Sequence, residues 1–158
     1  WAKETGKRVH VHVDQLNTVK EHETQMLAIK TKEYGLYDQV TAIHSISLAA
    51  HSKSYRESIY KKCKEMEISF VTCPTAWIDH KRNEELNVNH NSITPVDELI
   101  EHGITVAIGT DNIHDIYKPY STGDLILEAK FLIECLHFYD IQDIINILTI
   151  NGEKVLGL

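Results

Sequence analysis

The chain has 158 residues, and 16 Lys and Arg against 23 Asp and Glu give it a formal net charge of −7. This length predicts one domain, and a hydrophobic content of 42% is enough for a packed core and excludes a disordered chain. The acidic balance argues against binding to nucleic acid, which needs a basic face. No apolar run approaches the ~20 residues of a membrane-spanning helix, and the polar opening at residues 1–8 does not resemble a signal peptide.

The three cysteines are odd in number and far apart, at Cys63, Cys73 and Cys135. This spacing excludes a disulfide framework and a cysteine-rich zinc site, and it predicts a reducing, cytoplasmic location. The chain begins at Trp1 rather than at a methionine. We therefore expect it to be part of a longer protein.

Apolar alternation and helical spacing predict a regular succession of elements along the chain. In chain order these are a strand at 9–13, a helix at 18–34 ended by Gly35, a strand at 39–43, a helix at 52–66, a strand at 68–73, a helix at 94–102 with Thr94 as N-cap, a strand at 104–108, and helices at 124–139 and 141–150. The polar, asparagine-rich composition of residues 77–93 predicts a loop there.

Strands that alternate with helices predict an α/β fold with a parallel sheet, as either a doubly wound sheet or a barrel. The sequence has no GxGxxG and no GxxxxGK[ST] motif, so nothing supports a nucleotide-binding version of that fold. Four βα units are also half of an eight-unit barrel, and 158 residues cannot supply all eight.

Three of the four predicted strands end near a side chain that can bind a metal or move a proton: His12, His44 and Asp111. The carboxyl ends of parallel strands share one rim, so these side chains should lie close together. A single His at such a position is usually a hydrogen-bonded rim residue, and a single Asp is usually a turn residue. Three together favour a site, and two imidazoles with a carboxylate suit one divalent metal ion, zinc or iron.

These segments resemble the last four strands of the barrel in the amidohydrolase superfamily, and within it the cytosine deaminase group most closely. The likeness rests on VHVHVDQ at 9–15, VTAIHS at 40–45 and GITVAIGTDNIHD at 103–115, and the final TINGEKVLGL resembles the helix that closes the family's barrel. It covers nearly the whole chain. It implies that residues 1–158 form the C-terminal half of a TIM-type (β/α)8 barrel domain, with strands five to eight and the closing helices.

The resemblance indicates which strands of the family's barrel the strands of this chain correspond to. His12 and His44 are 44 − 12 = 32 residues apart, and His44 and Asp111 are 111 − 44 = 67 apart, which are one and two βα units. His12 thus resembles the fifth-strand metal ligand, His44 the sixth-strand His and Asp111 the eighth-strand metal-binding Asp. The pair of His residues on the family's first strand is absent. We therefore expect the chain to need the N-terminal half of the barrel as a partner, with homo-oligomers as a further expectation.

The family mechanism implies a role for each residue. A metal-activated water attacks a ring or carbonyl carbon, Asp111 binds the metal and accepts the water's proton, and His44 polarises the developing oxyanion. The deaminases carry a proton-shuttling Glu three residues after the fifth-strand His, and here that residue is Gln15. Glutamine cannot act as an acid or base, but it can hydrogen-bond a substrate. The other residues that we predict to line the pocket are Trp77, Asn112, His114, Asp115 and Tyr117.

The sequence thus predicts a metal-dependent hydrolase that acts on C–N bonds of a small nitrogen heterocycle, as in relatives that remove alkylamines from triazine rings. The first alternative is a cytosine-type deaminase proper. The second is a non-catalytic β/α fragment with a binding or regulatory role.

Overall fold

The computed structural model describes residues 1–77 and 93–158, in which four parallel strands form one sheet. The strands are β1 (Val9–Val13), β2 (Val40–His44), β3 (Ser69–Thr72) and β4 (Val106–Ile108), and they lie in the order β1-β2-β3-β4. Every neighbouring pair is parallel. Successive strands that lie side by side and run in one direction need crossover connections, so the predicted α/β architecture is confirmed.

One short helix precedes β1, and the other helices occupy the crossovers and the C-terminal part of the chain. They are α1 (Ala2–Thr5), α2 (Glu23–Tyr34), α3 (Ser47–Ala50), α4 (Lys53–Glu65), α5 (Pro74–Trp77), α6 (Val96–Glu101), α7 (Leu125–Leu136), α8 (Ile141–Leu148) and α9 (Ile150–Leu156). Within the described residues, no helix combines the length and the apolar character that crossing a membrane requires.

Side-chain caps set several helix boundaries. Ser52, Asp124 and Asp140 precede α4, α7 and α8, and each accepts a hydrogen bond from a backbone N–H in the first turn. Gly35 ends α2 with φ of +63°, a left-handed conformation that glycine adopts without strain, as the sequence predicts.

Three predicted helices have different limits in the structure. The helix predicted over 124–139 spans only Leu125–Leu136, and His137 ends it with a left-handed backbone. The helix predicted over 18–34 begins only at Glu23, because the carboxylate of Asp14 accepts the N–H groups of Glu23 and Thr24 and fixes the start there. The helix predicted over 141–150 divides at Thr149 into α8 and α9.

The prediction that Thr94 caps α6 is wrong. Pro95 occupies the N-cap position, and the Thr94 hydroxyl donates instead to the backbone carbonyl of His44. Of the polar loop predicted at 77–93, residues 78–92 lie outside the described residues. Thr94 therefore joins the start of α6 to the end of β2.

The core lies between the sheet and the helices packed on it. Among its largest fully buried apolar side chains are six from α4, β3, α6, α7 and α8: Ile59, Tyr60, Phe70, Leu99, Leu132 and Ile147. Burial of each such side chain contributes roughly 1.5–3 kcal/mol. This packing holds the strands in place and leaves their carboxyl ends at one rim.

An ion pair joins α4 to α6 beside the core. Arg56 donates to both carboxylate oxygens of Glu98, at 2.7 and 2.5 Å, and the buried Tyr60 hydroxyl donates to Glu98 at 2.7 Å. Arg56 also donates to the backbone carbonyl of His51 at 2.7 Å. A bidentate pair with a further hydroxyl donor is geometrically specific, so it fixes how the two helices lie against each other.

Replacing Glu98 with Gln should lower the free energy of unfolding by about 1–3 kcal/mol at neutral pH, because Arg56 then lacks its carboxylate partner. The hydrogen bond from Arg56 holds the pKa of Glu98 below its ordinary value of 4.5. A pKa that is lower in the folded than in the unfolded state gives stability that is complete above pH 4.5 and lost as the pH falls. Urea unfolding of both proteins, from neutral to acid pH, measures this difference.

The matched control is Glu57→Gln, which removes a carboxylate on α4 that lies 4.0 Å from Lys53 in an exposed pair. An exposed pair contributes little, so this change should stay within about 0.5 kcal/mol. A Glu98→Gln effect that is equally large at neutral and acid pH would contradict the ion-pair explanation.

Candidate active site

His12, His44 and Asp111 come together at the carboxyl ends of the strands. His12 lies near the end of β1, His44 is the last residue of β2, and Asp111 follows β4 by three residues. One ligand atom from each side chain lies within 4.8 Å of those of the other two. His12 Nδ1 is 3.0 Å from His44 Nε2, and the rings meet edge to face with centroids 4.9 Å apart.

Left-handed backbone conformations make this meeting possible. In the register of the sheet Val13 lies opposite His44 and Ile43 lies opposite His12, so regular strands would point the two imidazoles to opposite faces. His44 has φ of +74° and therefore leaves strand geometry at that residue. Asp111 has φ of +61°. Such conformations are uncommon for residues other than glycine and concentrate at functional sites.

Close packing of β4 against β3 brings Asp111 toward the other two residues. Gly109 continues the ladder by donating its N–H to the carbonyl of Thr72 at 2.9 Å. A Cβ at Gly109 would lie 3.3 Å from a methyl group of Val71, so a glycine suits this approach. The turn that carries Asp111 therefore starts directly beside the end of β3.

The three side chains differ in environment. His44 is 1% exposed, whereas His12 and Asp111 are exposed. Burial lowers the pKa of His44 to about 4, the negative charge of Asp111 opposes this, and His12 adds to it. His44 is therefore uncharged at neutral pH and can donate a hydrogen bond or offer a lone pair. Two imidazoles and a carboxylate at this separation form a donor set that suits zinc or iron.

The loop after β1 places Gln15 beside a group of three acidic residues that sequence reasoning missed. Gln15 is half-buried, and it lies between Asp14 and Leu16, whose N–H groups donate to Glu23 and Glu21. Their carboxylate oxygens and that of Asp14 lie within 4.8 Å of one another. The polar run before α2 was the available signal, but its pattern does not indicate which acids face the backbone.

The loop after β4 carries Asn112, His114 and Asp115. The Asp115 carboxylate accepts the side-chain amide of Asn112 and the N–H groups of Tyr117 and Lys118, at 2.9 and 2.8 Å for the last two. Asn112 and Asp115 thus fold their own loop, and contact with a substrate stays a prediction for both. His114 is exposed, with Nδ1 3.2 Å from the carbonyl of Pro119. Tyr117 is exposed too.

Glu128 is a further residue that the sequence did not reveal. It lies on α7 and is 2% exposed, and its carboxylate accepts the N–H of Thr75 at 2.9 Å and also the Thr75 hydroxyl. Burial raises the pKa of Glu128. Lys118 donates to the Thr75 carbonyl at 3.1 Å. Glu128 therefore holds α5, whose last residue is Trp77, against α7, and Lys118 holds α5 against the loop after β4.

Replacing Glu128 with Leu should lower the free energy of unfolding by about 1–3 kcal/mol for each Thr75 donor that is left buried without an acceptor. Leucine keeps most of the volume and removes both acceptor oxygens. Glu134→Leu, at an exposed position of the same helix, should stay within about 0.5 kcal/mol. Urea unfolding measures both changes, and equal effects of the two substitutions would exclude the proposed contact.

A family model described as "Amidohydrolase family" matches residues 1–158. The chain is 27% identical over 160 residues to the N-isopropylammelide isopropyl amidohydrolase of Pseudomonas sp. (strain ADP), covering 99% of this chain and 36% of that protein. It is 28% identical over 173 residues to a 5-methylthioadenosine/S-adenosylhomocysteine deaminase of Thermoanaerobacter pseudethanolicus, covering 98% of this chain and 34% of that protein.

A solved structure is similar to this chain in its fold. The 5-methylcytosine deaminase of Klebsiella pneumoniae, crystallised with 5-fluorocytosine, superposes with a TM-score of 0.89 at 25% identity, covering 99% of this chain and 39% of that one. The chain thus spans between 34% and 39% of the length of these relatives. The matches confirm the resemblance predicted from the sequence and the α/β barrel architecture that it implies.

Proposed function

We propose, from the premise that this chain belongs to the amidohydrolase family, that it supplies the second half of the barrel of a metal-dependent hydrolase. The reaction is hydrolysis of a C–N bond in a small nitrogen heterocycle. The observation that carries the proposal is the meeting of His12, His44 and Asp111 within 4.8 Å at the rim of the parallel sheet. Similarity to an amidohydrolase and to deaminases supports the reaction class.

His12 and Asp111 would hold one divalent metal ion, zinc or iron. When bound, such an ion lowers the pKa of a water molecule and makes it a nucleophile near neutral pH. Both residues are exposed at the rim, so a ligand can reach them from the carboxyl side of the sheet.

Asp111 and His44 have separate roles in the rest of the reaction. The carboxylate of Asp111 accepts the proton of the attacking water, as a general base does. His44 is buried and uncharged at neutral pH, and it donates a hydrogen bond to the oxygen on which negative charge develops. Because His44 is held by surrounding packing, it needs no large rearrangement when that charge appears.

The chemistry of Gln15 distinguishes two candidate reactions of the same class, removal of a substituted amine and deamination. Its amide can bind a ring nitrogen or a carbonyl group of the substrate, but it cannot carry a proton to a leaving amine. This favours hydrolysis of a substituted amine over plain deamination of cytosine. Cytosine-type deamination is the second candidate, since the superposition with a 5-methylcytosine deaminase extends over 99% of the chain.

Replacing Asp111 with Asn should lower kcat in the intact enzyme by at least ~10²–10⁴-fold, because the amide keeps the shape of the side chain but cannot accept the proton. Asn also tolerates the left-handed backbone found at this residue, so the fold should be retained. Release of ammonia and of alkylamines is measured with cytosine, 5-methylcytosine and N-isopropylammelide, and with the metal content of both proteins determined.

Asp38→Asn is the matched control, since Asp38 has φ of +57° and lies in the turn before β2, at the other end of that strand. This control should leave kcat unchanged. If Asp111→Asn keeps a near-normal kcat at equal metal content, Asp111 is not the proton acceptor. If the wild type releases neither product from the substrate panel, the proposed reaction itself is wrong for these substrates.

Replacing Gln15 with Glu should introduce or increase ammonia release from aminopyrimidines, because a titratable group then stands where the deaminases carry one. A new limb should appear in the pH–rate profile. Release of alkylamine should fall, since an ionised Glu cannot donate the hydrogen bond that Gln15 can. Ammonia and amine release are measured across pH for both proteins.

Gln142→Glu adds the same charge at an exposed position of α8 and should change neither product nor pH profile. Efficient deamination of cytosine by the wild type, with no change in the Gln15→Glu variant, would place Gln15 outside the proton path.

A further inference from the structure

We propose that Asp14 is a positioning residue that holds Gln15 and His44 in a fixed relation to each other. Only the expected effect of Asp14 on catalysis rests on the proposed function; the positioning role itself rests on hydrogen bonds. Asp14 lies two residues after His12. The hydrogen bonds that carry its role involve neither the imidazole of His12 nor the carboxylate of Asp111. It acts through three separate sets of hydrogen bonds: its carboxylate and its carbonyl accept, and its N–H donates.

The carboxylate of Asp14 fixes the start of α2. Its Oδ1 accepts the N–H of Glu23 at 2.7 Å, and its Oδ2 accepts the N–H of Thr24 at 3.0 Å. The residue is 1% exposed and has φ of +51°. A buried carboxylate is costly unless hydrogen bonds satisfy it, and the amino end of a helix offers both donors and a favourable dipole.

The N–H groups on both sides of Gln15 are also bound by carboxylates. Asp14 N–H donates to Glu23 Oε2 at 2.7 Å, and Leu16 N–H donates to Glu21 Oε2 at 3.0 Å. The backbone of Gln15 is therefore held from both directions. The loop from 14 to 23 closes on itself through the reciprocal bonds between Asp14 and Glu23, as in a capping box with a longer connection.

The carbonyl of Asp14 holds the segment that follows His44. It accepts the N–H of Ile46 at 2.8 Å and that of Ser47 at 3.3 Å. The Thr24 hydroxyl, next to the Asp14 carboxylate, donates to the Ser45 hydroxyl at 3.0 Å. His44 and Ser45 both have left-handed backbones, which persist only where surrounding contacts determine them. Asp14 supplies such contacts directly after His44.

The acidic group needs no cation to account for it. Asp14, Glu21 and Glu23 lie within 4.8 Å of one another, which is compatible with a metal site. Each carboxylate, however, accepts at least one backbone N–H from the same loop. The hydrogen bonds thus assign these acids to the backbone of the loop, and the loop in turn connects the ends of β1 and β2.

The test compares Asp14→Asn with Asp140→Asn in the intact enzyme. Asp140 caps α8 by accepting the N–H of Asp143 at 2.9 Å, and Asn caps helices as well as Asp does, so this control should leave kcat/KM unchanged. Asp14 uses two oxygens for two N–H groups, and the Asn amide would turn its NH₂ toward one of those donors. We expect kcat/KM to fall about 10- to 100-fold, as small misplacement of reacting groups does.

The readout that separates positioning from stability is NMR of the imidazole nitrogens in ¹⁵N-histidine-labelled protein, recorded without metal. If Asp14 holds the loop after His44, Asp14→Asn moves the signals of His12 and His44, whose rings are 3.0 Å apart. Asp140→Asn leaves them in place. Lower stability in Asp14→Asn with unchanged imidazole signals and unchanged kcat/KM would overturn the proposal and leave Asp14 as a helix cap alone.

Thr24→Val keeps the proposal testable if Asp14→Asn does not fold. It removes only the hydroxyl that donates to Ser45 and keeps the shape of a buried side chain. We expect the same imidazole signals to move and kcat to fall several-fold, and unchanged signals would count against the proposal. Cytosine and N-isopropylammelide serve as substrates. If the wild type hydrolyses neither, the proposed function fails for them while the imidazole signals still decide the role of Asp14.

Discussion

Parallel pairing of the four strands is the constraint on which the rest of the structure depends. With every strand running in the same direction, all carboxyl ends lie at one edge, and side chains that are far apart in sequence meet there. His12 and Asp111 are nearly a hundred residues apart in the chain, yet their ligand atoms lie within 4.8 Å. The crossover helices and the core maintain this arrangement by packing against the sheet away from that edge.

Strand pairing alone does not bring the side chains together, because the pleat would turn His12 and His44 to opposite faces. The chain leaves strand geometry at His44 and again at Asp111, both with left-handed backbones. Such conformations cost free energy. Hydrogen bonds from the neighbouring loops offset that cost: Asp14 receives the N–H groups that follow His44, and Thr94 donates to the His44 carbonyl.

The sequence predicted the parts of the fold that depend on local periodicity. Alternating valines fixed β1 at the bounds that the structure has, and the glycine after Tyr34 marked the end of α2. The start of α2 was missed because it depends on Asp14, a residue nine positions upstream of Glu23. Thr94 was assigned to the wrong partner because its partner, the His44 carbonyl, belongs to a strand 50 residues earlier.

The residues of the candidate site divide in the same way, into those that a local sequence pattern reveals and those that it does not. His12, His44 and Asp111 could be found from sequence because each stands at the end of a strand, and strand ends are visible as a pattern. Asp14, Glu21, Glu23 and Glu128 could not be found, because their partners are backbone N–H groups, some in the same loop and some in other elements, and no sequence pattern marks such pairs. Sequence shows an acidic residue in a loop, but the direction in which its carboxylate points is decided by tertiary packing.

The acidic residues that hold the backbone beside Gln15 are different from the side chains that we propose to react. This difference bears on how the chemistry of the site can change. The N–H groups beside Gln15 are held by Glu21 and Glu23, and no described hydrogen bond of that loop uses the Gln15 amide to fold it. The side chain at position 15 can therefore differ without loss of the contacts that shape the loop. Under the proposed function, a glutamate there would carry a proton and a glutamine would only bind, so one backbone arrangement would serve either chemistry.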